Sequence, residues 1–267
     1  MKKKQRLSNG VELSYYDSGS GRAVVFLHSF GHNKTMWLPQ LTHVLERGWR
    51  VVAPDMPGHG DSTFDPARQS VAAIARGYLE LFDAIGLQRV VLVATSMGGY
   101  LALNMWAAKP DAISALVLAN TKAERDSDEI VSRRRAQIAS IERHGLEEFV
   151  RTTAPKRVSP RTVAERPWVV DAISMMNFTS SAQASAATLA AMTEREDDTT
   201  MLNTITVPTL IIEGGDDTFI PKGAAAAMRD GIRNSRLHTI EGTGHISNLE
   251  KPTEFNRLLD EFLTSLP

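Results

Sequence analysis

The 267-residue sequence predicts an α/β fold: a mostly parallel central sheet flanked by helices, with a helical lid inserted before the last strands. Three observations carry this reading. Short apolar runs alternate with stretches of helical spacing as far as residue 119, strand signals then vanish until about residue 203, and the alternation resumes from there. Strands that alternate with helices imply parallel pairing, because a crossover helix returns the chain to the same edge of the sheet.

Residues 11–16 have β-type composition, and Asp17-Ser18-Gly19-Ser20-Gly21 is a turn cluster. Residues 23–27 form a continuous apolar run, as a strand buried on both faces requires. A helix is expected over 35–45, with Pro39 either early in it or kinking it. Residues 50–53 make the next strand, ended by Pro54. Ser70 is an N-cap for a helix in which Val71, Ile74, Tyr78, Leu81 and Ile85 recur at helical spacing, until Gly86 stops it. A strand at 90–94, a helix at 97–108 and a strand at 113–119 follow. Beyond Thr121, segments rich in Ala, Glu and Arg are broken at Gly145, Pro155, Pro160 and Pro167, which predicts several short helices. A strand at 207–212, a helix at 221–230, a strand at 236–240 and a helix at 252–265 complete the chain. The expected organisation is a core in two parts, 1–120 and 204–267, separated by a helical cap at 121–203.

Composition excludes several classes of protein. Hydrophobic residues make up 42%, too many for a disordered or fibrous chain, and a net charge of −1 leaves no electrostatic footprint for nucleic acid. The absence of cysteine removes disulfides, thiolate metal sites and a cysteine nucleophile together, and fits a reducing compartment. Lys2-Lys3-Lys4 is followed by polar residues rather than an apolar signal core, and no run approaches the roughly 20 apolar residues of a membrane span. A cytoplasmic protein without membrane or nucleic-acid partners is expected. Nothing in the sequence indicates its oligomeric state.

The chemistry is concentrated where strands end. Ala94-Thr95-Ser96-Met97-Gly98-Gly99 lies between a strand and a helix, the arrangement of a nucleophile elbow, in which a sharp turn lifts a serine hydroxyl above the sheet. A serine is too weakly acidic to attack unaided and needs a base within hydrogen-bond reach. His245 is that base: it follows a strand in Glu241-Gly242-Thr243-Gly244-His245, whose glycines let a loop present the imidazole over the sheet. Asp216 and Asp217 compete for the acid that would orient His245, both lying in a turn after the strand at 207–212. The position after the strand at 113–119, another possible place for the acid, holds Asn120. Acyl transfer also needs donors for an oxyanion. The Met97 N–H is one, and the loop His28-Ser29-Phe30-Gly31 is the source of a second.

Other polar residues have structural readings. His28 and His59 sit in tight turns as hydrogen-bonding groups, and His32, His43, His144 and His238 have surface or packing roles. His28 and His32 flank Gly31 off any helix, so no metal site is expected, and the chemistry calls for no cofactor. The segment from Asp55 to Ser62 is a structural turn whose acids have no evident partner.

Taken together these pieces resemble the α/β-hydrolase superfamily over almost the whole chain. The matching motifs are His28-Ser29-Phe30-Gly31, Asp55 to Ser62, Thr95-Ser96-Met97-Gly98-Gly99, Gly214-Gly215-Asp216-Asp217 with Pro221, and Gly244-His245. The resemblance selects Asp217 over Asp216 and puts the second oxyanion N–H at Phe30. Ala94 and Ser29 depart from it, since both positions usually hold glycine. A serine at 96 argues against haloalkane dehalogenases and epoxide hydrolases, which place aspartate there. The stretch from Gly244 to Pro252 looks most like carboxylesterases and 3-oxoadipate enol-lactonases.

The resemblance implies a serine hydrolase of small carboxylic esters or lactones, with Ser96, His245 and Asp217 as its triad. The alternatives are an enol-lactonase-like enzyme for an anionic lactone, a C–C hydrolase or perhydrolase on the same triad, and a non-catalytic receptor for a small ligand. Residues 122–166 carry eleven Lys or Arg against eight acids. Charge runs usually form solvated helix faces, so a neutral ester or lactone is the expected substrate.

Overall fold

The computed structural model describes residues 1–267. The first half contains β1 (Lys2–Arg6), β2 (Glu12–Ser18), β3 (Ala23–Leu27), α1 (Leu38–Leu45), β4 (Arg50–Pro54), α2 (Val71–Ala84), β5 (Val90–Thr95), α3 (Met97–Ala108) and β6 (Ile113–Ala119). Helices α4 (Asp128–His144), α5 (Leu146–Thr153), α6 (Pro160–Glu165), α7 (Pro167–Asn177) and α8 (Ala182–Thr193) then follow without a strand. The chain returns to the sheet in β7 (Thr209–Gly214), α9 (Ala224–Gly231) and β8 (Ser235–Ile240), and ends in α10 (Ser247–Glu250) and α11 (Pro252–Thr264).

The strand order is β1-β2-β4-β3-β5-β6-β7-β8 in one eight-stranded sheet. β2 is antiparallel to β1 and β4, and all the other pairings are parallel. β3 and β5 lie inside the sheet under helices, and every residue of both is buried, which is why they read as unbroken apolar runs. Pro39 sits in the first turn of α1, where its missing N–H costs no intrahelical bond. The Ser70 hydroxyl accepts from the Ala73 N–H at 3.1 Å and so starts α2. β7 begins two residues later than expected, just beyond Pro208, which has no N–H to give to a ladder.

β1 was not predicted. Its sequence, Lys-Lys-Lys-Gln-Arg, has no apolar face, because it is an edge strand held by its ladder to β2 and by side-chain charges. Lys3 pairs with Asp17 and Lys4 with Glu12, both at 2.7 Å. Lysines on an exposed edge also discourage pairing with another chain.

The turn from Asp55 to Ser62 has a partner that the sequence did not reveal. Buried Lys34, entering the turn before α1, forms ion pairs with buried Asp55 and, at 2.8 Å, with Asp61. Asp55 also accepts from the backbone N–H groups of Lys34 (2.7 Å) and Asp61 (3.0 Å). Removing one member of such a pair strands the other charge in the core. Lys34→Met is therefore expected to lower unfolding stability by about 3–5 kcal/mol, read as a fall in the urea midpoint. A midpoint within error of the wild type would contradict the assignment.

Candidate active site

Ser96 is the single residue between β5 and α3, and its backbone is left-handed, with φ 51° and ψ −117°. A non-glycine residue there stores strain of about 1–3 kcal/mol, held in place by the surrounding structure. The turn closes because α3 packs directly on the strands. A β-carbon on Gly98 would lie 2.3 Å from the Leu27 carbonyl oxygen, and one on Gly99 would lie 2.4 Å from Thr121 Oγ1. The Ala94 methyl is accommodated at full burial.

The turn aims Ser96 Oγ at the loop after β8. His245 Nε2 lies 2.8 Å from Ser96 Oγ, and His245 Nδ1 lies 2.8 Å from Asp217 Oδ2. A carboxylate opposite Nδ1 keeps the proton on that nitrogen and leaves Nε2 to accept from the serine. Asp217 accepts further bonds from Asn120 Nδ2 at 2.9 Å and from the Phe219 and Ile220 N–H groups at 2.8 and 3.3 Å. Burial alone would raise the Asp217 carboxyl. The His245 imidazole, the Asn120 amide and the Phe219 N–H outweigh burial and hold it below its ordinary range. Asp216, by contrast, is exposed. Phe219 stacks on the other face of the histidine, with ring centroids 5.0 Å apart.

The loop bearing His245 is tied to the cap. Buried Glu250 accepts from the Gly244 N–H at 2.7 Å, the Ser159 N–H at 2.8 Å and the Thr162 hydroxyl at 2.7 Å. The Phe30 N–H donates to no group of the chain. The Met97 N–H lies in the first turn of α3, where no intrahelical acceptor exists.

His28, His32 and His59 are fully buried beneath this region. His28 accepts from the Met56 N–H at 2.8 Å through Nε2. Burial pulls His28 down to about 4 and His59 to about 3 from the ordinary 6.5, and it drives His32 well below that value too. The unfolded chain binds these protons more readily than the folded one. The stability they contribute is complete above pH ~6.5 and is lost as pH falls toward the folded values, by about 1.4 kcal/mol per pH unit for each histidine. The urea midpoint should therefore drop steadily from pH 7 to pH 5. A midpoint that is flat over that range would show that these histidines are protonated in the folded state.

Residues 24–258 match the sequence pattern of the Alpha/beta hydrolase family. The chain belongs to that family. An esterase from Thermogutta terrifontis, solved with malate bound, superposes with a TM-score of 0.93 at 29% identity, covering 99% of this chain and 98% of its own. The chain is 26% identical over 256 residues to 3-oxoadipate enol-lactonase 2 of Acinetobacter baylyi, covering 94% of this chain and 92% of the relative. It is 27% identical over 263 residues to a 2-hydroxy-6-oxononadienedioate/2-hydroxy-6-oxononatrienedioate hydrolase of Dechloromonas aromatica, covering 95% and 91%.

In this α/β hydrolase a cavity of about 50 Å³ lies over Ser96 and His245, walled by Phe30, Tyr100, Phe149 and Phe219. A larger chamber of about 590 Å³ shares Arg133, Gln137, Thr153 and Phe219 with it. The expectation of solvated faces holds for most of the cap cations, Arg125, Arg135, Arg143, Arg151, Lys156 and Arg161 being exposed, but Arg133, Arg134 and Arg157 line the inner cavity. Arg133 is exposed, and Arg134 is paired with Asp126 at 2.6 Å. Arg157 is buried, its Nη1 donates to the Phe30 carbonyl at 2.8 Å, and its own carbonyl accepts from the His245 N–H at 2.8 Å.

Sequence reasoning missed two residues here. Asn120, considered only because it is not an acid, holds Asp217 and also donates to the Gly244 carbonyl at 3.1 Å. Its Oδ1 accepts from Ser247 at 2.6 Å. The available signal was a polar residue directly after an apolar strand; the structure puts it in left-handed backbone, with φ 45°. For Arg157 no signal separates it from the other cations of the cap.

Proposed function

We propose that the protein is a serine hydrolase of short carboxylic esters or lactones, working through an acyl-enzyme on Ser96. The reading is carried by one observation, the pair of 2.8 Å contacts that join Ser96 Oγ to His245 Nε2 and His245 Nδ1 to Asp217. As Ser96 Oγ attacks the carbonyl carbon, His245 Nε2 takes the hydroxyl proton and the carbonyl oxygen becomes an oxyanion, which the Phe30 and Met97 N–H groups hold. Asp217 keeps the imidazole oriented and stabilises its cation. Collapse of the intermediate breaks the ester bond, and the proton passes from Nε2 to the departing alkoxide. Water then enters, gives a proton to Nε2 and attacks the acyl carbon; the second collapse returns that proton to Ser96 Oγ and frees the acid. The helices between residues 121 and 203 act as the lid of this site.

The names of the relatives support the ester and lactone class, since an esterase and an enol-lactonase stand among them. The test is labelling by a fluorophosphonate together with turnover of p-nitrophenyl acetate. Label on Ser96 with burst release of nitrophenol is expected. A ligand-binding but unreactive protein, as a receptor would be, overturns the reading.

A further inference from the structure

We propose that Arg157 is a carboxylate subsite, so that the substrate is a short ester or lactone carrying a free carboxylate close to the scissile carbonyl. The proposal rests on the hydrolase reading for the word substrate, and its binding arm stands independently of that reading.

Arg157 lacks a countercharge. A buried ion costs several kcal/mol and normally faces an opposite charge. Arg157 is 5% exposed, yet its one hydrogen bond goes to a neutral carbonyl, that of Phe30, and its Nε is enclosed without any partner. The remaining contacts are the Phe30 and Phe219 rings, whose centroids lie 5.6 and 5.7 Å from the guanidinium carbon. Burial, with a smaller contribution from the like charge of Arg134, brings Arg157 down to about 10, so the guanidinium is a cation at neutral pH. The other cations of the cap interior are committed: Arg134 and Lys122 both pair with Asp126, and Arg195 with Asp198.

Position then supplies the ligand. Arg157 lines the same cavity as Ser96, and it touches both sides of the reacting centre, holding the Phe30 carbonyl with its side chain and the His245 N–H with its backbone. Its Nη2 donates to no group of the protein, which leaves the guanidinium charge-assisted N–H donors for a carboxylate. The inner cavity, about 50 Å³, keeps such an anion close to Ser96. Half-esters of short dicarboxylic acids and small lactone acids meet both conditions.

The decisive experiment uses Ser96→Ala, which cannot turn over ester, and calorimetric titration with monomethyl succinate and dimethyl succinate, which differ by one methyl group and one charge. The expected result is a Kd at least about tenfold lower for the monoanion, or 1.4 kcal/mol. That preference should vanish in Ser96→Ala/Arg157→Gln and survive in part in Ser96→Ala/Arg157→Lys. Turnover by the wild type should show the same order, with kcat/KM for p-nitrophenyl hemisuccinate about tenfold or more above that for p-nitrophenyl butyrate. Equal affinities of Ser96→Ala for the two succinates overturn the proposal without any substitution at Arg157. A preference that persists in Arg157→Gln overturns it as well, leaving Arg157 as a brace between the Phe30 and His245 loops. If the monoanion binds through Arg157 and neither nitrophenyl ester turns over, the subsite stands and the hydrolase reading falls.

Discussion

Ser96→Ala and His245→Ala should each lower kcat by about 10⁴-fold or more while leaving a folded protein, since members of a triad act as a unit. Ser96 adds a second observable. Its φ of 51° is forced on a residue with a β-carbon, and glycine reaches that region without strain. Ser96→Gly should therefore be inactive and also more stable than the wild type, by roughly 1 kcal/mol out of the 1–3 such strain represents. Urea denaturation beside an ester assay checks both halves. Substantial turnover by Ser96→Ala with an unchanged circular dichroism spectrum would remove Ser96 from the mechanism. An unchanged or lower midpoint for Ser96→Gly would mean that the turn is not strained.

Asp217→Asn should reduce kcat by about 10⁴-fold, and Asp216→Asn by little. The cause is the direction of two hydrogen bonds. Asp217 Oδ2 accepts from His245 Nδ1 at 2.8 Å and from Asn120 Nδ2 at 2.9 Å. An amide nitrogen in that place would face two donors; an amide oxygen there would lose the charge that stabilises the imidazolium. With the nitrogen toward His245, the ring proton moves to Nε2, and Ser96 loses its acceptor. Asp216 is exposed, so its amide variant perturbs neither bond. Equal losses in the two variants, or a larger loss at 216, would place the acid at the neighbouring residue.

The legible parts of this chain are those where local signals and tertiary demands coincide. The run at 23–27 predicts β3 residue for residue because a strand buried on both faces has no other composition open to it. Ser96 and His245 stood out as candidates because each follows a strand end beside glycines, whereas the turn left Asp216 and Asp217 open and the family resemblance chose between them. β1 was illegible because a charged edge strand takes its structure from its neighbour. Lys34 and Asp55 stand 21 positions apart in turns, and only the fold makes them a buried pair. Arg157 was illegible for a related reason. Its residue type is common in the cap, and what singles it out is burial without a countercharge.

The carboxylate of Glu250 gives the cap a consequence for motion. Lifting the Arg157–Thr162 corner away from the body would orphan three donors at once, the Ser159 N–H, the Thr162 hydroxyl and the His245 N–H, which donates to the Arg157 carbonyl, each at about 1–3 kcal/mol. One of those donors is the N–H of His245 itself, so the corner behaves as a latch on the loop that carries the imidazole. Movement of this corner is thereby coupled to the placement of the ring that contacts Ser96.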